Sequence, residues 1–154
     1  MPRASENAST LAELLLVDND ARITDLVAFF LRRSGHAVRT AGNFSIARRE
    51  IARLRPDLVL SDLDLGEERG LVELPRLAAE GLLPATLVVS GYLDRAAQIE
   101  LERLPQVVGI LAKPFDLDVL VARVNEGLAR AQEFVPPEEA LDGWVELDAS
   151  TESV

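Results

Sequence analysis

Short apolar runs alternate with amphipathic stretches through the middle of the chain. After a polar arm, Leu14-Leu15-Leu16-Val17 is unbroken and closes on Asp18-Asn19-Asp20, the pattern of a strand buried on both faces. Ile23, Leu26, Val27, Phe30 and Leu31 then recur at i, i+3, i+4, i+7 and i+8, which predicts a helix with that face toward a core, stopped by Gly35. The cycle repeats with Ala37-Val38 as a short strand, Asn43 as N-cap, and Ile46, Ile51 and Leu54 on a helix that ends before Pro56. Leu58-Val59-Leu60 is a third strand, ending at Ser61-Asp62. A loop from Gly66 to Gly70 leads into Leu71 to Glu80, where Pro75 either opens a short helix or kinks a longer one. Leu87-Val88-Val89, a helix from Asp94 to Leu104, a strand from Val107 to Leu111 and a helix capped by Asp116 complete the pattern. That last helix carries Leu117, Leu120, Val121, Val124 and Leu128 as one stripe.

Five strand–helix cycles imply right-handed crossovers and a doubly wound, five-stranded parallel sheet with helices on both faces, an α/β fold. Ligands of such sheets bind beyond the carboxyl ends of the strands. The expected organisation is a polar arm over residues 1–12, one domain over 13–132 and an acidic tail over 133–154. With 154 residues, 48% of them hydrophobic, the chain can bury one core and not two.

Charge and composition narrow the function. The absence of cysteine excludes disulfides and thiolate chemistry, and a single histidine, His36, excludes a multi-histidine metal site. His36, between Gly35 and Ala37, reads as a solvated turn residue. A net charge of −10 argues against nucleic-acid binding, which needs a basic stripe. Seven acids and no Lys or Arg fall between Glu133 and Val154, so the body is near neutral. No secretory leader or membrane span is apparent, so a soluble cytoplasmic protein without a membrane partner is expected. In the tail, Pro136-Pro137 precede Leu141, Trp144, Val145 and Leu147 interleaved with acids. This is either a disordered, solubilising tail or a segment that docks Trp144 on a partner or on the domain's own surface.

The residues at the strand ends carry the chemistry. Asp18-Asn19-Asp20 follow the first strand, Asp62 the third, Ser90 the fourth and Lys113 the fifth. Singly, each could cap a turn or sit solvated in a loop. Together they supply what phosphoryl transfer to a carboxylate needs: a nucleophile in Asp62, oxygen ligands for a hard cation at Asp18 and its neighbours, and Lys113 with Ser90 for the phosphoryl oxygens.

The motifs Leu-Leu-Val-Asp-Asn-Asp at 15–20, Asp-Leu-Val-Leu-Ser-Asp-Leu-Asp-Leu at 57–65, Val-Val-Ser-Gly at 88–91 and Leu-Ala-Lys-Pro-Phe at 111–115 resemble those of response-regulator receiver domains from two-component signalling. The resemblance spans about Leu14 to Leu128. It implies a flavodoxin-like (βα)5 fold with strand order 2-1-3-4-5, and phosphorylation of Asp62 by a sensor histidine kinase or histidine phosphotransfer protein. It further implies Mg2+ held by Asp18, Asn19, Asp62 and the backbone carbonyl of Asp64, a switch through Ser90, and a cis Lys113-Pro114 peptide. The module would signal to a downstream protein and would not be an enzyme; phosphorylation could also drive homodimerisation. The 22 residues after Gln132 are too few for an output domain, so a stand-alone receiver is expected.

Three positions depart from the family pattern. Asn19 stands where a second carboxylate is usual, which removes a negative charge from the metal site. Gly66 replaces a proline, in a loop similar to that of a subgroup of stand-alone receivers. Ile110 occupies the place of the aromatic switch on the last strand, so Tyr92 is the candidate reporter ring. Two alternatives stay open: a phosphorylation-independent pseudo-receiver, on the strength of Asn19, and a haloacid-dehalogenase-like phosphatase, on the strength of Asp62-Leu63-Asp64. A flavodoxin is weaker, because no Ser/Thr/Gly-rich loop follows the first strand.

Overall fold

Leu14 to Val17 lies wholly out of solvent, and its neighbours divide between two layers according to the parity of the strand. The computed structural model describes residues 11–133, and the tail with its Trp144 lies outside them. Leu14 and Leu16 of β1 (Glu13–Val17), Leu58 and Leu60 of β3 (Leu58–Asp62), and Leu87 and Val89 of β6 (Thr86–Ser90) enter one core layer. Leu15, Val17, Val59 and Val88 enter the other. Alternation of side chains across a strand therefore turns each unbroken apolar run into two half-cores.

The sheet has the order β2-β1-β3-β6-β7, all parallel, with β2 at Ala37–Ala41 and β7 at Val107–Ala112. With the two short strands β4 (Asp64–Leu65) and β5 (Glu68–Arg69) set aside as a separate hairpin, this is the expected 2-1-3-4-5 order. Helices α1 (Ala21–Arg33) and α5 (Leu117–Glu133) cover the first layer with Val27, Ala28, Leu31, Leu120 and Val124. Helices α2 (Phe44–Arg53), α3 (Gly70–Ala79) and α4 (Arg95–Glu102) cover the second with Phe44, Ile51, Leu74, Leu77 and Leu101. Among the described residues no helix is long and apolar enough to cross a membrane.

Local signals act as their chemistry suggests. Asp20 and Asn43 cap α1 and α2, accepting from the amides of Arg22 and Ile46, and Asp94 caps α4 by accepting from Ala97. Gly35, at φ +101°, turns the chain after α1. Pro75 lies inside α3, not at its first turn.

Two expectations change. The buried face of α1 is Thr24, Val27, Ala28 and Leu31, while Ile23 and Leu26 face solvent; Thr24 and Ala28 take the places toward the sheet that the apolar spacing gave to Ile23 and Leu26. His36 is not solvated but 6% exposed, and its Nδ1 accepts the Ala12 amide at 3.3 Å. Burial pushes its pKa down, which keeps the ring neutral and accepting.

Candidate phosphoacceptor site

Strand register decides which side chains meet at the carboxyl rim. Val17 pairs with Ser61 across β1 and β3, Asp62 with Val89 across β3 and β6, and Ser90 with Ala112 across β6 and β7. The next residue on each strand is therefore delivered to one edge: Asp18 beside Asp62, and Lys113 beside Ser90. The Lys113 amide donates to the Ser90 carbonyl at 2.8 Å and extends that register by one step. The Lys113–Pro114 peptide is cis, as the resemblance implies.

Lys113 Nζ lies 2.9 Å from Asp62 Oδ2 and 3.3 Å from Asp18 Oδ2. The side chains of Asp18, Asp62 and Lys113 are 14%, 12% and 21% exposed, so the three charges meet in a half-shielded setting where Coulomb attraction is stronger than in water. Burial acts to lower the Lys113 pKa, but the hydrogen bond and charge of Asp62, joined by those of Asp18, outweigh it and hold the ammonium above the ordinary lysine value. The remaining carboxylate oxygens are oriented by backbone donors. Asp62 Oδ1 accepts from the amides of Leu63 at 2.6 Å and Asp64 at 3.3 Å, and Asp18 Oδ1 from Asp20 at 2.9 Å.

Ser90, Tyr92, Asp64, Gly66 and Arg69 line an open groove with Asp62 and Lys113. Ser90 Oγ donates to the Tyr92 carbonyl at 2.8 Å, and the Tyr92 amide donates back to Ser90 Oγ at 3.3 Å. Tyr92 is 81% exposed. Ile110 is not at this rim: it packs against the layer that contains Val88 and Leu101. Asn19 is exposed, with its amide nitrogen facing Gly66. Asp20 is engaged as the cap of α1.

Among the described residues no group of three His, Cys, Asp or Glu side chains could hold a metal ion. The donors available here are the two carboxylates Asp18 and Asp62, the Asn19 amide and the Asp64 carbonyl. All are hard oxygens, the type that Mg2+ takes together with several waters, so the set fits that ion with one charge fewer than a three-carboxylate site.

Two supports of the site lie in the loop that the sequence places from Gly66 to Gly70; Gly70 belongs to the motif after Asp62, whereas Glu68 carries no local signal. Glu68 Oε1 accepts the Phe44 amide at 2.6 Å, tying the β4–β5 hairpin to the start of α2. Gly70 donates to the Leu63 carbonyl at 2.7 Å, and a Cβ on it would fall 2.8 Å from Leu63 Cα, so only glycine fits where α3 begins under Asp62.

Comparisons with known proteins agree with this fold. The family model described as the response regulator receiver domain matches residues 14–125. The DNA-binding transcriptional regulator NtrC of Azospirillum brasilense is 32% identical over 123 residues, covering 76% of this chain and 24% of that protein. The DNA-binding response regulator MtrA of Mycolicibacterium smegmatis is 29% identical over 148 residues, covering 92% of this chain and 60% of its own. The chain thus spans between 24% and 60% of the length of these relatives. A CheY-like response regulator receiver domain protein from Methanospirillum hungatei has the same fold, with a TM-score of 0.73 at 21% identity over 80% of this chain and 98% of that one. NtrX of Brucella abortus aligns with a TM-score of 0.69 at 28% identity, over 79% of this chain and 27% of that one. The haloacid-dehalogenase-like alternative falls away, and the chain belongs to the response regulator receiver domain family, a signalling module of two-component systems.

Proposed function

We propose that Asp62 accepts a phosphoryl group from the phosphohistidine of a sensor histidine kinase or histidine phosphotransfer protein, and that the domain reports the change by protein contact. The observation that carries this reading is the Lys113 ammonium set between the Asp62 and Asp18 carboxylates. In the transfer, an Asp62 carboxylate oxygen attacks phosphorus; the new P–O bond forms as the P–N bond breaks, and the departing imidazole keeps the electron pair and takes up a proton. Lys113 and the Ser90 hydroxyl are the groups placed to hold phosphoryl oxygens as charge spreads over them. Magnesium, when bound, supplies the remaining positive charge; Asp18, Asn19, Asp62 and the Asp64 carbonyl would hold it.

The names of the curated relatives describe DNA-binding regulators. The net charge of −10 is the reason a protein, and not nucleic acid, is proposed as the recipient of the signal here. Treatment with acetyl phosphate and magnesium followed by intact-mass measurement tests the reading: the parent chain should gain one phosphoryl group, and Asp62→Asn should gain none while keeping its circular dichroism. Labelling that persists in Asp62→Asn would overturn it. A parent that takes no label would favour the phosphorylation-independent module, for which Asn19 is the supporting feature.

A further inference from the structure

The outward face of α1 is built the wrong way round for a solvated helix. Arg22, Leu26, Phe29 and Arg33 recur at i, i+4, i+7 and i+11, which places them on one line directly opposite the buried Thr24, Val27, Ala28 and Leu31. Leu26 and Phe29 are 54% and 56% exposed, and Ile23 beside them is 37% exposed. Other large apolar side chains this exposed stand singly on their helices, as Val72, Ile99 and Val119 do. The apolar pair on α1 is bracketed by cations: Arg22 is 94% exposed, and Arg33 sits with its guanidinium 5.8 Å from the centre of the Phe29 ring.

The chain carries a segment of complementary chemistry that begins beside this face. Helices α1 and α5 follow parallel strands, pack against each other and cover the same layer, so both end at the same side of the sheet. The end of α5 at Glu133 therefore lies on the side of the sheet where α1 ends at Arg33. Residues 134–154 contain Leu141, Trp144, Val145 and Leu147 set among Glu138, Glu139, Asp142 and Glu146, with no Lys or Arg. Trp144 lies eleven positions after Glu133, enough for about 36 Å of extended chain, whereas α1 is only about 20 Å long. Tethering at that range gives an effective concentration on the order of millimolar, so weak contacts suffice.

We propose that the α1 face of Arg22, Leu26, Phe29 and Arg33 is the docking surface of the chain's own C-terminal segment, with Trp144 and Leu141 on the apolar pair and the flanking acids against the two arginines. The interaction does not depend on the phosphorylation of Asp62. Because Trp144 is the only tryptophan of the 154 residues, its emission in this chain reports the contact directly. The parent should emit to the blue of free indole and resist acrylamide. In Leu26→Ser/Phe29→Ser the emission should move to the solvent value and quenching should rise severalfold, while Val72→Ser on the other side of the sheet changes neither. Solvent-like emission in the parent, or no change in the double variant, would overturn the proposal, and so would emission that shifts on dilution, which would assign the contact to a second copy. Should the double variant misfold, Trp144→Ser in the full chain decides: amide shifts must move within residues 22–33 more than within 95–102, and the opposite ordering overturns it.

Discussion

The Nζ of Lys113 and the Oδ2 of Asp62 lie 2.9 Å apart although 51 positions separate them, and the same ammonium reaches Asp18 at 3.3 Å. One cation thus offsets half of the charge of two carboxylates that would otherwise repel across the rim, and it lies within reach of a group attached to Asp62. Removing it in Lys113→Met should slow labelling by acetyl phosphate by about 10²- to 10³-fold, the loss typical for one donor to developing charge, with the fold retained. Labelling at the parent rate, followed by intact mass, would show that the ammonium is not needed.

Asn19 contributes a neutral oxygen where a carboxylate would add charge to a hard-cation site. Asn19→Asp is expected to tighten magnesium binding by roughly tenfold. The check is a magnesium titration by calorimetry; equal affinities in the two proteins would remove Asn19 from the ligand set.

Ser90 and Tyr92 exchange a reciprocal pair of hydrogen bonds at 2.8 Å and 3.3 Å. A phosphoryl group on Asp62 competes for the Ser90 hydroxyl, and once that hydroxyl turns away the loop that starts α4 loses its fastening. Beryllofluoride, a phosphoryl mimic, should therefore shift the amides of residues 90–104 more than those of 117–128. Ile110 is β-branched, packed in the second layer and absent from this exchange, which leaves the exposed Tyr92 ring to report the motion. If only residues 62–70 respond, or if Tyr92→Ala signals normally, the route is wrong.

Gly70 and Gly91 should differ sharply in tolerance. A Cβ on Gly70 meets Leu63 Cδ2 at 2.7 Å and the Leu63 backbone at 2.8 Å, whereas one on Gly91 meets nothing within 4 Å. Gly70→Ala is expected to lose about 1–3 kcal/mol in urea unfolding, because the backbone of the Asp62 loop must shift. Gly91→Ala should stay within about 0.5 kcal/mol of the parent.

His36 should make stability fall on acidification. Burial holds its folded pKa below the ordinary value of about 6.5. As pH drops below that value, the unfolded chain takes up a proton that the folded chain refuses, so stability is lost toward the lower folded pKa, at no more than about 1.4 kcal/mol per pH unit. Denaturant unfolding of the parent and of His36→Gln, near pH 7.5 and about pH 5.5, measures the difference. The variant should show the shallower dependence, and identical slopes would remove His36 as the cause.

Much of the fold was legible in the chain because it rests on local rules. Unbroken runs such as Leu14 to Val17 fit buried strands between helices, the cap Asn43 and the turn at Gly35 need nothing beyond their neighbours, and a parallel topology sends Asp18, Asp62, Ser90 and Lys113 to one rim. What periodicity could not supply were the contacts between segments distant in sequence. The rotation of α1 that exposes Leu26 depended on which residues could lie close to the sheet. The β4–β5 hairpin and its Glu68 brace depended on the nearby start of α2, and the burial of His36 depended on an Ala12 amide 24 positions away. Hydrophobic spacing specifies that a face is buried, but a hydrogen-bond donor or a packing neighbour contributed by another element exists only once that element has been placed beside it.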